Sequence, residues 1–247
     1  MGTGDAGGVP LFGCTCPLCT QAKQGKGQRR PSSLLLQAGA ERLLIDAGRT
    51  DLADIIEQHT IKRIILTHYH VDHVQGLFHI RWGVSEQPIP VLGPSDSDNC
   101  ADLHKHSGIL DFSDTFTAFE TRQFSSLSVT PVPLHHSKPT LGYCFEYNGT
   151  RFAYLTDTLG LPDDTALFLQ QWKPTLMVLD CSHPPTDTRV RNHNNLTHAI
   201  ECHQRIQPEK TYLTHMSHAM DVYRSTANTH LPANIFYASD GLAINIT

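Results

Sequence analysis

The run Thr67-His68-Tyr69-His70-Val71-Asp72-His73 follows the apolar stretch Ile64-Ile65-Leu66 directly. Three imidazoles and a carboxylate therefore crowd one short loop at the end of a predicted buried strand. Crowding of this kind costs loop entropy and local charge repulsion, and a pair of divalent cations bound by neutral imidazoles and carboxylate offsets both. The alternating pair His68 and His70 can converge on one ion, while Asp72 and His73, at the turn into the next helix, reach a second. The remaining ligands must come from farther along the chain, so the fold has to be one in which a rigid sheet presents distant loops to one point.

Three candidates each stand just after a predicted strand: His136 after Val129 to Leu134, Asp157 after Phe152 to Leu155, and His215 after Tyr212-Leu213. His135 adjoins His136 and competes with it. Apolar runs bounded by turn signals predict further strands at Ser33–Gln37, Arg42–Ile45, Ile61–Leu66, Ile89–Leu92, Val129–Pro133, Tyr143–Tyr147, Arg151–Leu155, Leu176–Leu179, Thr211–Leu213, Ile235–Tyr237 and Ala243–Ile246. Asn148-Gly149 predicts a two-residue hairpin, because both positions of a type I′ turn need positive φ. Helical periodicity covers Leu52–Gln58, Val74–Trp82, Asp163–Trp172 and Leu196–Ile206. Strands interleaved with few helices imply sheets covered by helices on their outer faces.

The chain has 247 residues, a size consistent with one domain over 1–247. Its formal charge of -5 argues against a long nucleic acid as partner, since no basic tract is present to release condensed counterions. Neither an export signal nor a run of 18 apolar residues is evident, and Cys100, Cys144, Cys181 and Cys202 are scattered singly. Reduced thiols in a cytoplasmic protein, away from membranes, are the expectation. Two segments lack periodicity: Gly13–Pro31, with Cys14, Cys16 and Cys19, reads as a loop excursion, and Gly93–Asp114 as a lid or substrate loop.

The motif, followed by a lone His, a lone Asp and a last His, resembles the metallo-β-lactamase fold hydrolases over essentially the whole chain. The resemblance implies an α/β fold, an αββα sandwich of two mixed sheets with helices on the outer faces. It also implies that His68, His70 and His136 hold one metal, that Asp72, His73 and His215 hold the other, and that Asp157 bridges them. Asp72 is accordingly carried as a catalytic residue as well as a ligand. His136 is preferred to His135 by the family pattern of a strand, a spacer and His-Ser-Lys. Cys14-x-Cys16-x-x-Cys19, Arg81-Trp82-Gly83, Leu110-Asp111-Phe112-Ser113, His136-Ser137-Lys138, Asp180-Cys181-Ser182-His183-Pro184-Pro185, Arg191-Asn192-His193 and Leu213-Thr214-His215-Met216-Ser217-His218 narrow it. Together they resemble the cyclic phosphodiesterases of the carbon–phosphorus lyase pathway.

That resemblance implies hydrolysis of 5-phospho-α-D-ribose 1,2-cyclic phosphate to ribose 1,5-bisphosphate in phosphonate catabolism. Two divalent ions, Mn²⁺ or Zn²⁺, would share a hydroxide able to attack phosphorus. It also selects His193 as general acid for the departing sugar oxygen, the alternative being an exposed His beside Arg191. Three thiolates at such short spacing want one more ligand to close a tetrahedral structural zinc site, and the resemblance selects His218. Lys105, His106, Lys138 and Arg81 are candidates for a second substrate phosphate. Relatives begin with a strand leading into a Gly-Thr-Gly loop, whereas Met1 stands directly before Gly2-Thr3-Gly4, so the first strand is expected to be missing; a homodimer is left open.

Rival functions share the fold. An RNA-processing nuclease should carry a long basic or Gly/Pro-rich arm, and a lactonase or glutathione-thioester hydrolase should lack the Cys-x-Cys-x-x-Cys insertion. A non-catalytic zinc-binding interaction module on a decayed scaffold would show no turnover of bis(p-nitrophenyl) phosphate with added Mn²⁺.

Overall fold

Successive side chains of a strand point to opposite faces of its sheet, and here both faces are apolar, so each sheet must be covered twice. The computed structural model, which describes residues 1–186, 190–227 and 230–246, meets this demand with two face-to-face sheets and helices on both outer faces. The first sheet runs in the order β1 (Leu34–Ala38), β2 (Glu41–Ile45), β3 (Arg63–Ile65), β4 (Ile89–Pro94) and β5 (Leu110–Asp111), with β6 (Thr115–Phe116) also on β4. β1 and β2 are antiparallel and the rest parallel.

The second sheet contains β7 (Arg122–Phe124), β8 (Leu127–Pro133), β9 (Leu141–Tyr147), β10 (Thr150–Leu155), β11 (Leu176–Asp180), β12 (Lys210–Thr214) and β13 (Ile235–Tyr237), laid side by side in sequence order. It is antiparallel from β7 to β10 and parallel from β10 to β13. Both sheets are therefore mixed, as the αββα expectation requires.

Alternation sorts the core into layers. Leu43, Ile45 and Ile65 face inward and meet Phe145, Phe152 and Tyr154 of the other sheet. Their neighbours Leu44 and Ile64 face outward, against α2 (Leu52–His59), α3 (Val71–Val74), α4 (Leu77–Ile80) and α5 (Ala101–Lys105). On the far side Cys144, Ala153, Leu155, Met177 and Leu213 pack under α6 (Asp163–Trp172), α7 (Leu196–Ile206) and α8 (His218–Thr226). The Asn148-Gly149 hairpin joins β9 to β10 as expected, with φ of 50° and 80°.

Several expectations are corrected. The helix expected over Val74–Trp82 is two short helices, α3 and α4, parted at Gln75-Gly76. Gly76 sits so close to the carbonyls of Ala47 and Arg49 that a side chain there has no room. Ala243–Ile246 forms no strand: Asp240 accepts hydrogen bonds from the backbone N–H of Thr3 and Arg30, which swings the chain off the edge of β13. The Gly13–Pro31 excursion contains a helix, α1 (Pro17–Lys23), and Gly93–Asp114 contains α5 and β5. Gly2 and Gly4 make isolated bridges to Ser33, Pro31 and Met216. No helix among the described residues is long and apolar enough to cross a membrane.

Candidate metal centre and cleft

The strands fix the centre because His68, His136, Asp157 and His215 each lie one to three positions past the carboxyl end of β3, β8, β10 or β12. Asp157 and His215 turn the chain there with φ of 59° and 57°, in the left-handed region. The loop carrying His70, Asp72 and His73 is held by Gly48, where a side chain would run into the carbonyl of Asp72.

These turns bring two sets of donor atoms together. Nε2 of His68 and Nε2 of His136 lie 2.9 and 3.0 Å from Nδ1 of His70, and each is 3.7 Å from Oδ2 of Asp157. In the second set, Nε2 of His73 is 3.5 Å from Oδ2 of Asp72 and 3.4 Å from Oδ1 of Asp157. Nε2 of His215 is 3.7 Å from Oδ2 of Asp72 and 3.3 Å from Oδ2 of Asp157. Asp157 is common to both. Ligands about 2.0–2.1 Å from a tetrahedral ion are separated by roughly 3.3 Å, which matches this spacing.

Nε2 of His73 and Nε2 of His215 are buried and have no hydrogen-bond partner among the described residues. Unpartnered buried nitrogens are costly, and a cation bound between them and the carboxylates removes the cost. The donor set of imidazole and carboxylate thus fits two divalent ions.

Electrostatics point the same way. Burial, with the nearby His73, holds His68 neutral, well below the usual imidazole range. Burial acts likewise on His73 and His215, but Asp157 and Asp46 outweigh it at His73, which is raised well above that range. Asp157 and the nearby Asp72 carboxylate raise His215 to about 9. Burial would push Asp72 and Asp157 up, yet the same two histidines hold both carboxyls below the carboxylate range. The centre is a concentration of negative charge in which protons compete with cations for the same nitrogens.

The opposite edges of the rings are also fixed. Nδ1 of His68 lies 3.0 Å from Thr67 Oγ1, that of His73 2.8 Å from Asp46 Oδ2, that of His215 2.9 Å from Ser182 Oγ, and that of His136 3.0 Å from the Asn192 carbonyl. Partners of this kind set which nitrogen faces a metal. The sequence alone singles out none of these four partners as a site residue. Asp46 carries a usable signal, for it stands immediately after a strand, as the candidate ligands do.

His193 lies beside the centre. Its Nδ1 is 2.8 Å from Oδ2 of the fully buried Asp180, and its ring stacks on His215 with centroids 4.8 Å apart. Burial lowers its pKa, but Asp180 more than compensates and raises it. His193 also comes within 4.8 Å of His136 and Asp157 by its donor atoms. With Asp5, Ala6, His70, Val71, Asp72, Asp157, Ser182, His183 and His215 it lines a cleft of ≈ 330 Å³.

The four basic residues suggested for a second phosphate do not line that cleft. Arg81 is buried with its guanidinium 2.8 Å from Asp102 and over the ring of Trp82. Lys105 and His106 are exposed at the end of α5, and Nζ of Lys138 is 3.3 Å from Asp96 and 2.8 Å from the Asp98 carbonyl. His135 is exposed, with Nδ1 3.3 Å from the Leu159 carbonyl, away from the cluster.

A second cluster lies on the α1 loop. Sγ of Cys14 and Sγ of Cys16 are 3.7 and 3.2 Å from Nε2 of His218, and Cys19 completes four donors within 4.8 Å of one another. Cys16 is the N-cap of α1, so the N–H of Cys19, with His218, lowers its thiol to about 6. Three thiols and one imidazole suit a closed tetrahedral zinc. The Cys16→Ser protein is expected to lose one equivalent of zinc and to melt about 5 °C lower or more. Calorimetry with metal analysis checks this; unchanged zinc and melting temperature would remove the site.

In sequence, the chain is 28% identical over 198 residues to coenzyme PQQ synthesis protein B of Methylorubrum extorquens, 66% of each chain being covered. It spans from 35% to 66% of the length of the first curated relatives it matches. In structure, it is similar to a diphosphatase of the PhnP family, with TM-score 0.78 and 25% identity over 100% of this chain and 96% of the other. Zn²⁺-bound PqqB of Methylobacterium extorquens gives TM-score 0.78 at 21% identity, covering 99% and 98%. The model of the β-lactamase superfamily domain matches residues 41–216, the span from β2 to the residue after His215, and the chain therefore belongs to that superfamily, with the metallo-β-lactamase fold.

Proposed function

We propose that the chain is a metal-dependent phosphodiesterase that opens 5-phospho-α-D-ribose 1,2-cyclic phosphate to ribose 1,5-bisphosphate in phosphonate catabolism. The observation that carries this reading is the His193–Asp180 pair standing beside two donor sets that share Asp157. Cations held by His68, His70, His136 and Asp157, and by Asp72, His73, His215 and Asp157, would supply an activated water and positive charge for phosphoryl oxygens. Asp46, Thr67 and Ser182 hold the ligand rings in place for them. A sugar oxygen leaving phosphorus needs a proton, and His193 is placed to give one: Asp180 engages its Nδ1, so the proton for transfer is on Nε2.

The likeness to a PhnP-family diphosphatase supports phosphorus as the reacting centre. A cleft of ≈ 330 Å³ is at the small end for ligand pockets, fitting a sugar phosphate. Mn²⁺ and Zn²⁺ both suit the donor set, and the Cys14, Cys16, Cys19 and His218 cluster takes a structural zinc. We place the enzyme in the cytoplasm.

With Mn²⁺ added, kcat/KM for the cyclic phosphate is expected to exceed that for a lactone or a precursor transfer RNA by about a hundredfold or more. Equal or higher values on either competitor would overturn the assignment. The match to coenzyme PQQ synthesis protein B favours a second reading, a role in cofactor synthesis. Absence of phosphodiester turnover would turn the assignment toward it.

A further inference from the structure

Of the residues lining the cleft, Asp5 and His183 are polar and belong neither to the donor sets and their supports nor to the acid. Asp5 stands out because its position is fixed at every level. Its backbone N–H reaches the Met216 carbonyl at 3.3 Å, next to the ligand His215, and the preceding Gly4 N–H reaches the Arg30 carbonyl at 2.8 Å. Gly4 must be glycine, as a Cβ there would lie 2.8 Å from Cβ of Arg29. Oδ1 of Asp5 accepts the N–H groups of Gly7 and Gly8, both at 3.0 Å, which sets the carboxylate's direction. Oδ2 has no hydrogen-bond partner among the described residues.

The chemistry of that oxygen narrows what it meets. An ionised carboxylate only accepts hydrogen bonds, and a phosphodiester offers no donors and carries like charge. A ring hydroxyl is the donor a sugar phosphate can bring. His183 is held in place by backbone hydrogen bonds to Asn194 and Leu196, and burial lowers the pKa of its imidazole. That wall suits the uncharged, hydroxylated part of a substrate. Building on the phosphodiesterase reading, we infer that Asp5 determines specificity by accepting, through its free carboxylate oxygen, a hydrogen bond from a hydroxyl of the sugar ring that bears the cyclic phosphate.

The test compares the Mn²⁺-loaded wild type with Asp5→Asn, which keeps Oδ1 for the turn, on ribose 1,2-cyclic phosphate 5-phosphate and on bis(p-nitrophenyl) phosphate. The ratio of kcat/KM between the two substrates is expected to fall about tenfold to a hundredfold in Asp5→Asn. The 3-deoxy analogue given to the wild type tests the same contact without a variant, since the C3 hydroxyl is the one left unesterified on this substrate: it should lose a similar factor, and Asp5→Asn should no longer discriminate it. An unchanged ratio, or a wild type indifferent to the 3-deoxy analogue, would overturn the role of Asp5 while leaving phosphodiester hydrolysis in place. Failure of the wild type to hydrolyse either substrate would instead remove the phosphodiesterase reading, and this inference with it.

Discussion

Asp157→Ala is expected to lower phosphodiester turnover by about 10³-fold or more and to empty the centre of divalent metal. The reason is its reach. One buried carboxylate lies 3.3 to 3.7 Å from Nε2 of His68, His73, His136 and His215. Its removal takes a donor from each set and the negative charge that would keep two adjacent cations from repelling one another. It also removes the main charge that raises the pKa of His73 and of His215. Asp157→Asn, which retains the shape and much of the hydrogen bonding but no charge, should fall between Ala and wild type in metal content. Metal analysis alongside kcat checks both variants. An Ala variant with two catalytic ions and near wild-type turnover would show that Asp157 bridges nothing.

What the sequence disclosed and what it hid follow from one distinction. A ligand just past a strand is legible because the strand is a local signal and the residue type is chemical. His68, His136, Asp157 and His215 are therefore named as candidates by sequence alone and lie together in the structure, and the hairpin at Asn148-Gly149 is legible in the same way. Asp46 and Asp180 occupy the same kind of position, at or just past the ends of β2 and β11, yet they act on His73 and His193 across 27 and 13 residues. Nothing local announces those contacts. Asp5 is farther still from such signals, since its place in the cleft depends on the N-terminal loop meeting Met216.

The errors in secondary structure have the same origin. Val74–Trp82 has helical periodicity, but the close approach of Ala47 and Arg49 to Gly76 decides that two short helices form. Ala-Ile-Asn-Ile at 243–246 alternates like a strand, yet the fixed turn at Asp240 denies it a neighbour. The basic residues suggested for a second phosphate illustrate the converse: charge is visible in a sequence, but the partner that absorbs it, Asp102 for Arg81 or Asp96 for Lys138, is not.

His193→Ala should reveal whether proton donation limits the reaction, because its effect depends on what departs from phosphorus. On a cyclic sugar phosphate the leaving alkoxide is strongly basic, and loss of the acid is expected to cost about 10²- to 10³-fold in kcat. On bis(p-nitrophenyl) phosphate the leaving phenolate needs little protonation, so a loss of about tenfold or less is expected. Asp180→Asn should show the same contrast in milder form: the imidazole keeps a hydrogen-bonding partner 2.8 Å away but loses the charge that raises its pKa. Both variants should retain the metal of wild type if His193 is an acid. Its donor atom lies close enough to His136 and Asp157 for it to be a ligand instead. Metal loss in His193→Ala, with equal losses of kcat on both substrates, would assign it to the metal centre and leave the departing oxygen to be protonated by another group.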